Sequence, residues 1–141
     1  MAPLGPIVFE EHPSRADIDR LVEALTAFNY ETTGFRDGRY LTAFVRDESG
    51  AVVAGLSGFT WGGYAKVEYL WIEAPYRRAG LGRRLLDAAE AEARARGCSL
   101  VVLDTHDFQA PDFYAKLGYA PCGRVDEIPR GSGQTWFRKT L

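Results

Sequence analysis

The chain has 141 residues, a length typical of one domain, and 46% of them are hydrophobic, so it can bury a core without a disulfide or a metal. We therefore expect a single domain over residues 1–141. With 17 Lys and Arg against 19 Asp and Glu, the net charge of −2 excludes the overall basic field that nucleic-acid-binding proteins use.

Targeting and redox signals are weak in this sequence. No apolar run approaches the roughly 20 residues that a membrane helix needs, and the N-terminal MAPLGPIVFEEH lacks the basic region of a signal peptide. Cys98 and Cys122 form neither a CxxC pair nor a zinc-binding spacing. We expect two reduced, buried cysteines in a cytoplasmic protein that binds neither metal nor membrane. A disulfide is the alternative.

The first half of the chain predicts a strand, a helix and a meander. Ile7–Glu10 is a short apolar run that predicts a strand, and Ser14 then begins a helix whose apolar residues recur at helical spacing as far as Phe28. Three segments separated by glycine-containing turns predict an antiparallel meander: Tyr40–Asp47, Ala51–Trp61 and Tyr64–Ile72. In the third, strict alternation would place two sets of side chains on opposite faces: Lys66, Glu68, Leu70 and Ile72 on one, Val67, Tyr69 and Trp71 on the other.

The second half alternates helix and strand patterns. The strongest helix pattern is Leu81–Arg96, and the apolar run Ser99–Asp104 is typical of a strand buried on both faces. A short helix and two final strands follow: Pro111–Leu117, Tyr119–Val125 and Gln134–Thr140. A right-handed crossover through the long helix would make the third meander strand and the buried strand parallel. The element order predicts an α+β fold with helices covering a mixed sheet.

A glycine-containing turn precedes the long helix, in the run Arg77-Arg78-Ala79-Gly80-Leu81-Gly82-Arg83. Two glycines spaced by one residue allow backbone N–H groups to face an anion, and the helix dipole adds positive potential. The neighbouring arginines suit phosphate because each guanidinium donates two parallel hydrogen bonds. The alternative is that Gly80 only permits a tight turn and the arginines form a solvated face. A Walker loop is excluded because Arg83 and Arg84, not Lys and Ser or Thr, follow the last glycine.

Two segments together resemble one family. YLWIEAPYRRAGLGRRLLDAAEAEARARG is similar to the acetyl-CoA-binding core of the GNAT N-acetyltransferase superfamily, with Arg77, Gly80 and Gly82 matching its Gln/Arg-x-x-Gly-x-Gly/Ala signature. APDFYAKLGY resembles that family's last helical segment. The resemblance implies a central mixed, mostly antiparallel sheet of six to seven strands, splayed between the fourth and fifth and flanked by about four helices.

The resemblance also implies where the cosubstrate acetyl-CoA lies. Its pantetheine arm would pair with the backbone of Leu70, Trp71 and Ile72 beside a bulge. Its pyrophosphate would lie on the glycine turn, whose implied contacts are Arg77, Arg78, Ala79, Gly80, Leu81, Gly82 and Arg83. Many members have Asn where this chain has Asp107, so Gln109 or backbone is expected to make that contact instead.

The same resemblance implies catalytic roles. Tyr114 matches the family's tyrosine that approaches the cofactor sulfur and would donate a proton or hydrogen bond to the leaving thiolate. The alternative is a half-buried aromatic residue on an amphipathic helix. Glu68 is the candidate base, water-mediated base or ammonium anchor, although it could equally be a surface glutamate paired with Lys66 or an arginine. Tyr30 and Trp61 are candidate walls of the acceptor site, and either could instead be ordinary core residues.

The implied function is direct acetyl transfer, in a ternary complex without a metal, from acetyl-CoA to a primary amine of a small molecule or peptide. The alternative is a non-catalytic module that binds or senses acyl-CoA. Nucleic-acid binding through the arginine cluster is a weaker idea, and we expect no such partner. Members of the family often form dimers, so a homodimer is a further expectation that the sequence does not decide.

Overall fold

The computed structural model describes all 141 residues, in two compact units, residues 1–35 and 36–141. The first unit contains α1 (Arg15–Thr33). Ser14 caps it by accepting a hydrogen bond from the Asp17 N–H at 3.1 Å, and Gly34 ends it in the left-handed conformation. The predicted helix is confirmed. The predicted strand Ile7–Glu10 is wrong, because this apolar run has no strand to pair with.

The second unit holds a six-stranded sheet with helices. Its elements are β1 (Arg39–Arg46), β2 (Val52–Trp61), β3 (Tyr64–Ile72), the 3-10 turn Ala74–Tyr76, α2 (Leu81–Ala95), β4 (Leu100–His106), α3 (Pro111–Lys116), β5 (Ala120–Asp126) and β6 (Gly133–Thr140). The strand order is β1-β2-β3-β4-β6-β5, and only the β3–β4 pair is parallel. The predicted α+β fold is confirmed, with the lower of the expected strand numbers and three α-helices instead of about four.

The long helix α2 covers one face of the meander. Leu85, Leu86, Ala89 and Ala93 are buried on one side of α2, which packs on β1, β2 and β3. Burying a leucine side chain contributes about 1.5–3 kcal/mol, so this stripe anchors the start of the helix against the sheet. Both cysteines are free thiols. Cys98 is buried, but Cys122, expected to be buried, is exposed on the edge strand β5.

A bulge interrupts the pairing of β3 with β2. Gly58 pairs with Val67 and Ser57 with Tyr69, so Glu68 is an additional residue with no partner in the register. A Cβ at position 58 would overlap the Lys66 carbonyl oxygen, which is why the close approach requires glycine there.

The bulge corrects the strict alternation expected for this strand. Val67 is buried, and Leu70 and Ile72 pack against the same core, whereas Tyr69 and Trp71 are exposed on the other face. Glu68 therefore does not share a face with Leu70, because one inserted residue reverses the alternation beyond it.

The parallel pair β3–β4 stays together for only three residues of each strand. The register runs from Tyr64 opposite Leu100 to Lys66 opposite Val102 and then stops. Beyond that point β4 remains paired with β6 as far as His106. The remainder of β3 is paired only with β2. The splay expected between the family's fourth and fifth strands is confirmed, and here it lies between β3 and β4.

Glu90, Tyr119 and Lys139 form a buried polar cluster that packs against Tyr114. Glu90 is only 5% exposed and accepts hydrogen bonds from the Tyr119 hydroxyl at 2.9 Å and from Lys139 Nζ at 2.9 and 3.0 Å. Burial and the neighbouring carboxylate raise the pKa of Tyr119, so its hydroxyl stays a donor. The Tyr119 ring packs edge-on against Tyr114 at 6.0 Å, so the cluster fixes one side of that residue.

Candidate active site

A cavity of about 950 Å³ lies in the second unit, where β3 and β4 diverge. Its walls come from the open part of β3, the turn before α2, the end of β4, the loop that follows it and α3. It brings together twelve of the predicted residues: Glu68, Leu70, Trp71, Ile72, Arg77, Arg78, Gly80, Leu81, Gly82, Arg83, Gln109 and Tyr114. Ala79 belongs to the same turn but does not line the cavity, and neither does Trp61 at the end of β2. Tyr30 lies on α1 in the first unit.

The turn at one end of the cavity presents unpaired backbone donors. Arg78 and Gly80 both have positive φ, 63° and 75°, so two residues of this turn adopt the left-handed conformation. Gly80 is the N-cap of α2 and supplies no side-chain hydrogen bond to the first turn. The N–H groups of Leu81, Gly82 and Arg83 precede the first α-helical hydrogen bond, which the Arg84 N–H donates to the Gly80 carbonyl. This geometry suits an anion.

The two glycines of the turn have different physical roles. A Cβ on Gly80 would meet nothing within 4 Å, so glycine is there for its backbone conformation. Gly82 is buried, and a Cβ on it would lie 3.1 Å from Phe113 Cζ and 3.3 Å from Ile72 Cδ1. Gly82 therefore allows α2 to begin close against β3 and α3.

The arginines of the turn are not equivalent. Arg77 Nε donates to the Ile72 carbonyl at 2.8 Å and so ties the turn to the end of β3. Arg83 faces Asp87 at 3.7 Å in an exposed pair, which contributes little on its own. Arg78, Arg83 and Arg77 all line the cavity, so its turn end is cationic.

Tyr114 stands on the α3 side of the cavity. It is 8% exposed, and the rings of Phe113, Tyr119 and Phe137 pack around it. No protein group forms a hydrogen bond with its hydroxyl, and that oxygen is not among the fully buried atoms without partners. Burial, and secondly the negative charge of Asp104, raise the pKa of Tyr114, so it stays protonated at neutral pH. The phenol is a proton donor without a protein acceptor.

Two carboxylates border the open region of the sheet. Glu68 is exposed at the bulge and makes no hydrogen bond or ion pair with the protein. Asp104 is half-buried near the end of β4 and accepts a hydrogen bond from the Gln134 amide on β6. Sequence reasoning missed Asp104 because it ends an apolar run, where it resembles the polar boundary of a buried strand.

The loop after β4 contains Asp107, the acid that stands where many members of the resembled family have Asn. Asp107 lines no part of the cavity and accepts a bidentate pair of hydrogen bonds from Arg124 on β5, at 2.7 and 2.8 Å. The Arg124 guanidinium holds the pKa of Asp107 below its usual range, and the same guanidinium also pairs with Asp126 at 2.9 Å. Gln109 lines the cavity, and its Oε1 accepts a hydrogen bond from the His106 N–H at 2.9 Å, which shapes the loop.

Other kinds of site are not evident in the structure. No group of three or more His, Cys, Asp or Glu side chains is placed to hold a metal ion. None of the helices is long and apolar enough to cross a membrane.

Comparison with known proteins places the chain and its fold in a family. Residues 7–119 match the acetyltransferase (GNAT) family. The chain is 32% identical over 117 residues to an acetyltransferase of Agrobacterium fabrum, covering 83% of this chain and 85% of that protein. It is 41% identical over 85 residues to the blasticidin-S acetyltransferase of Streptomyces morookaense, covering 60% and 62%. A crystal structure of a Bacillus cereus acetyltransferase has a TM-score of 0.78 at 29% identity, covering 95% and 98%. This chain belongs to the GNAT acetyltransferase family.

The Asp107–Arg124 pair predicts a pH-dependent contribution to stability. Because the folded pKa of Asp107 lies below its unfolded value of about 3.9, the pair stabilises the fold above that pH, and the stabilisation is lost as the pH falls through the folded pKa. Chemical unfolding should show Asp107→Asn less stable than the parent protein at pH 7, with a difference that shrinks below about pH 4. Glu48→Gln, a change at an exposed turn, is the control. A difference that does not change with pH would contradict the assignment.

Proposed function

We propose that this protein transfers the acetyl group of acetyl-CoA directly to a primary amine of a small molecule or peptide, in a ternary complex. The observation that carries the proposal is the Tyr114 hydroxyl, a protonated donor without a protein partner, which lines the same cavity as the anion-binding turn. A structural tyrosine would be expected to use its hydroxyl in a hydrogen bond when it is this deeply buried.

The cavity suits a molecule with a polyanionic end and an amide-containing arm. The pyrophosphate would accept hydrogen bonds from the N–H groups of Leu81, Gly82 and Arg83, with arginine side chains at its rim. The open edge of β3 from Leu70 to Ile72 has no partner strand on its β4 side, so its backbone groups are available to the pantetheine amides. Arg77 already bonds the Ile72 carbonyl, so Leu70 and Trp71 offer the freer groups.

The chemistry follows from the position of the phenol. The amine nitrogen attacks the thioester carbonyl carbon, a carbon–nitrogen bond forms, and the carbon–sulfur bond breaks with its electron pair leaving on sulfur. Tyr114 donates its proton to that sulfur, so the leaving group departs as a neutral thiol instead of a thiolate. Positioned proton donors of this kind accelerate reactions by about 10²–10⁴-fold.

The acceptor amine is protonated at neutral pH and must lose a proton before its nitrogen can attack the thioester. An alkylamine resembles lysine with a pKa of about 10.4, so its neutral form costs about 4.6 kcal/mol at pH 7. Glu68, exposed at the bulge and lining the cavity, would attract the ammonium. One relative acts on blasticidin S by its name, which supports a small-molecule amine. The roles of Tyr30 and Trp61 as acceptor walls, the homodimer and the cytoplasmic location stay predictions.

Replacing the phenol tests the enzymatic proposal. Tyr114→Phe keeps the packed ring but removes the donor, so kcat for thiol release from acetyl-CoA should fall by about 100-fold or more. Acetyl-CoA affinity, measured by calorimetry, should change little. Tyr40→Phe, at an exposed tyrosine, is the matched control. Unchanged kcat in Tyr114→Phe, or an acetyl-CoA complex that turns over no amine, would favour the non-catalytic binding module.

Replacing Gly80 tests the cofactor turn. Asp and Asn are both among the non-glycine residues that enter the left-handed conformation, and they have the same shape, so Gly80→Asp and Gly80→Asn differ chiefly in charge. Gly80→Asp should weaken acetyl-CoA binding at least about tenfold, or about 1.4 kcal/mol, relative to Gly80→Asn. Thermal melting of both variants shows whether the fold is kept. Equal affinities would mean that the phosphates bind elsewhere.

A further inference from the structure

We propose that Asp104, rather than Glu68, is the carboxylate that accepts the proton of the acceptor ammonium, an inference that rests on the proposed amine acetylation. It assigns a catalytic role on β4 to a residue outside the glycine turn and the APDFYAKLGY segment.

The strand register places Asp104 at the opening of the gap. The last β3–β4 pair is Lys66 with Val102, and Asp104 lies two residues further along β4. Side chains alternate along a strand, so Asp104 shares the face of Val102. It is therefore among the first β4 side chains beyond the point where β3 has separated, and it lines the same cavity as Tyr114.

The carboxylate is held on one side and unpaired on the other. Asp104 pairs in register with Trp136, and the amide of Gln134 donates a hydrogen bond to Oδ2. No protein group forms a hydrogen bond with Oδ1, and no Arg, Lys or His forms an ion pair with this carboxylate. A half-buried acid with its charge unmatched suits an ammonium ligand.

The electrostatic neighbourhoods of the two acids differ. Burial and then the negative charge of Asp104 raise the pKa of Tyr114, whereas burial and then the charge of Glu68 raise the pKa of Tyr64, near the β2–β3 hairpin. Of the two acids, Asp104 is thus the one whose charge reaches the phenol. The other charged or titratable side chains that line the cavity are Glu68, Tyr69, Arg77, Arg78, Arg83 and His106. The contacts of His106 are made within the protein. Its Nδ1 lies 3.0 Å from the Ile128 carbonyl oxygen, and its ring stacks on Phe108.

The proton balance closes with these groups. Asp104 takes one proton from the ammonium, and the freed nitrogen lone pair attacks the thioester. The second nitrogen proton is lost as the tetrahedral intermediate collapses and restores the Tyr114 phenol, which has protonated the leaving sulfur. The products are the amide and the thiol, and the proton on Asp104 leaves to solvent.

The kinetic test compares three variants of similar shape, Asp104→Asn, Glu68→Gln and His106→Gln, with spermidine, kanamycin and a lysine peptide as amines. At pH 7, kcat of Asp104→Asn should fall by about 100-fold and recover towards pH 10, where the amine loses its proton to solvent. Glu68→Gln should mainly raise KM for the amine. The inference is overturned if Glu68→Gln or His106→Gln shows the kcat loss and Asp104→Asn does not.

A second readout needs no acceptor, so failure of the inference and failure of the proposed function are distinguishable. Ultraviolet titration, with Tyr114→Phe as the blank, should give a lower Tyr114 pKa in Asp104→Asn than in the parent protein. Glu68→Gln should leave that pKa unchanged. If no amine is acetylated but Asp104→Asn still lowers the Tyr114 pKa, the proposed function fails while the electrostatic link between Asp104 and the phenol holds. If the Tyr114 pKa does not move, the inference is wrong even in an active enzyme.

Discussion

The end of hydrogen bonding between β3 and β4 after Lys66 and Val102 is the constraint on which the site depends. A parallel pair that continued to the end of both strands would fill the space with sheet and leave no cavity. The bulge at Glu68 turns the remainder of β3 while it stays paired with β2, and β4 stays paired with β6. Each wall of the gap is therefore held by a neighbouring strand, and each presents an unpaired edge towards the other.

Positive and negative groups border different parts of that gap. The turn before α2 supplies backbone donors and arginines at one end, and carboxylates border the open face of the sheet. Asp107, the acid that could have opposed a polyanion, is bound by Arg124 and does not line the cavity. The ring of Tyr114 packs against Tyr119, which Glu90 holds through a hydrogen bond, and Lys139 binds the same carboxylate.

Much of this arrangement could be predicted from the sequence, because its strongest signals are local. Helical periodicity defines α2, and the glycine pattern around Gly80 defines the anion turn. What could not be predicted depends on pairing between distant segments. The strand expected at Ile7–Glu10 needed a partner it does not have, and the bulge reversed the expected faces of β3. Glu90 occupies a polar helix position in the sequence but is buried because Tyr119 and Lys139 lie beside it in the fold. Asp104 owes its place to a register that no local pattern encodes.

The most direct measurement is a crystal structure of the protein grown with coenzyme A. We expect the pyrophosphate against the N–H groups of Leu81, Gly82 and Arg83, the pantetheine arm along the open edge of β3, and the sulfur within hydrogen-bonding distance of the Tyr114 hydroxyl. Coenzyme A bound outside the gap between β3 and β4, or with its sulfur remote from that hydroxyl, would contradict it.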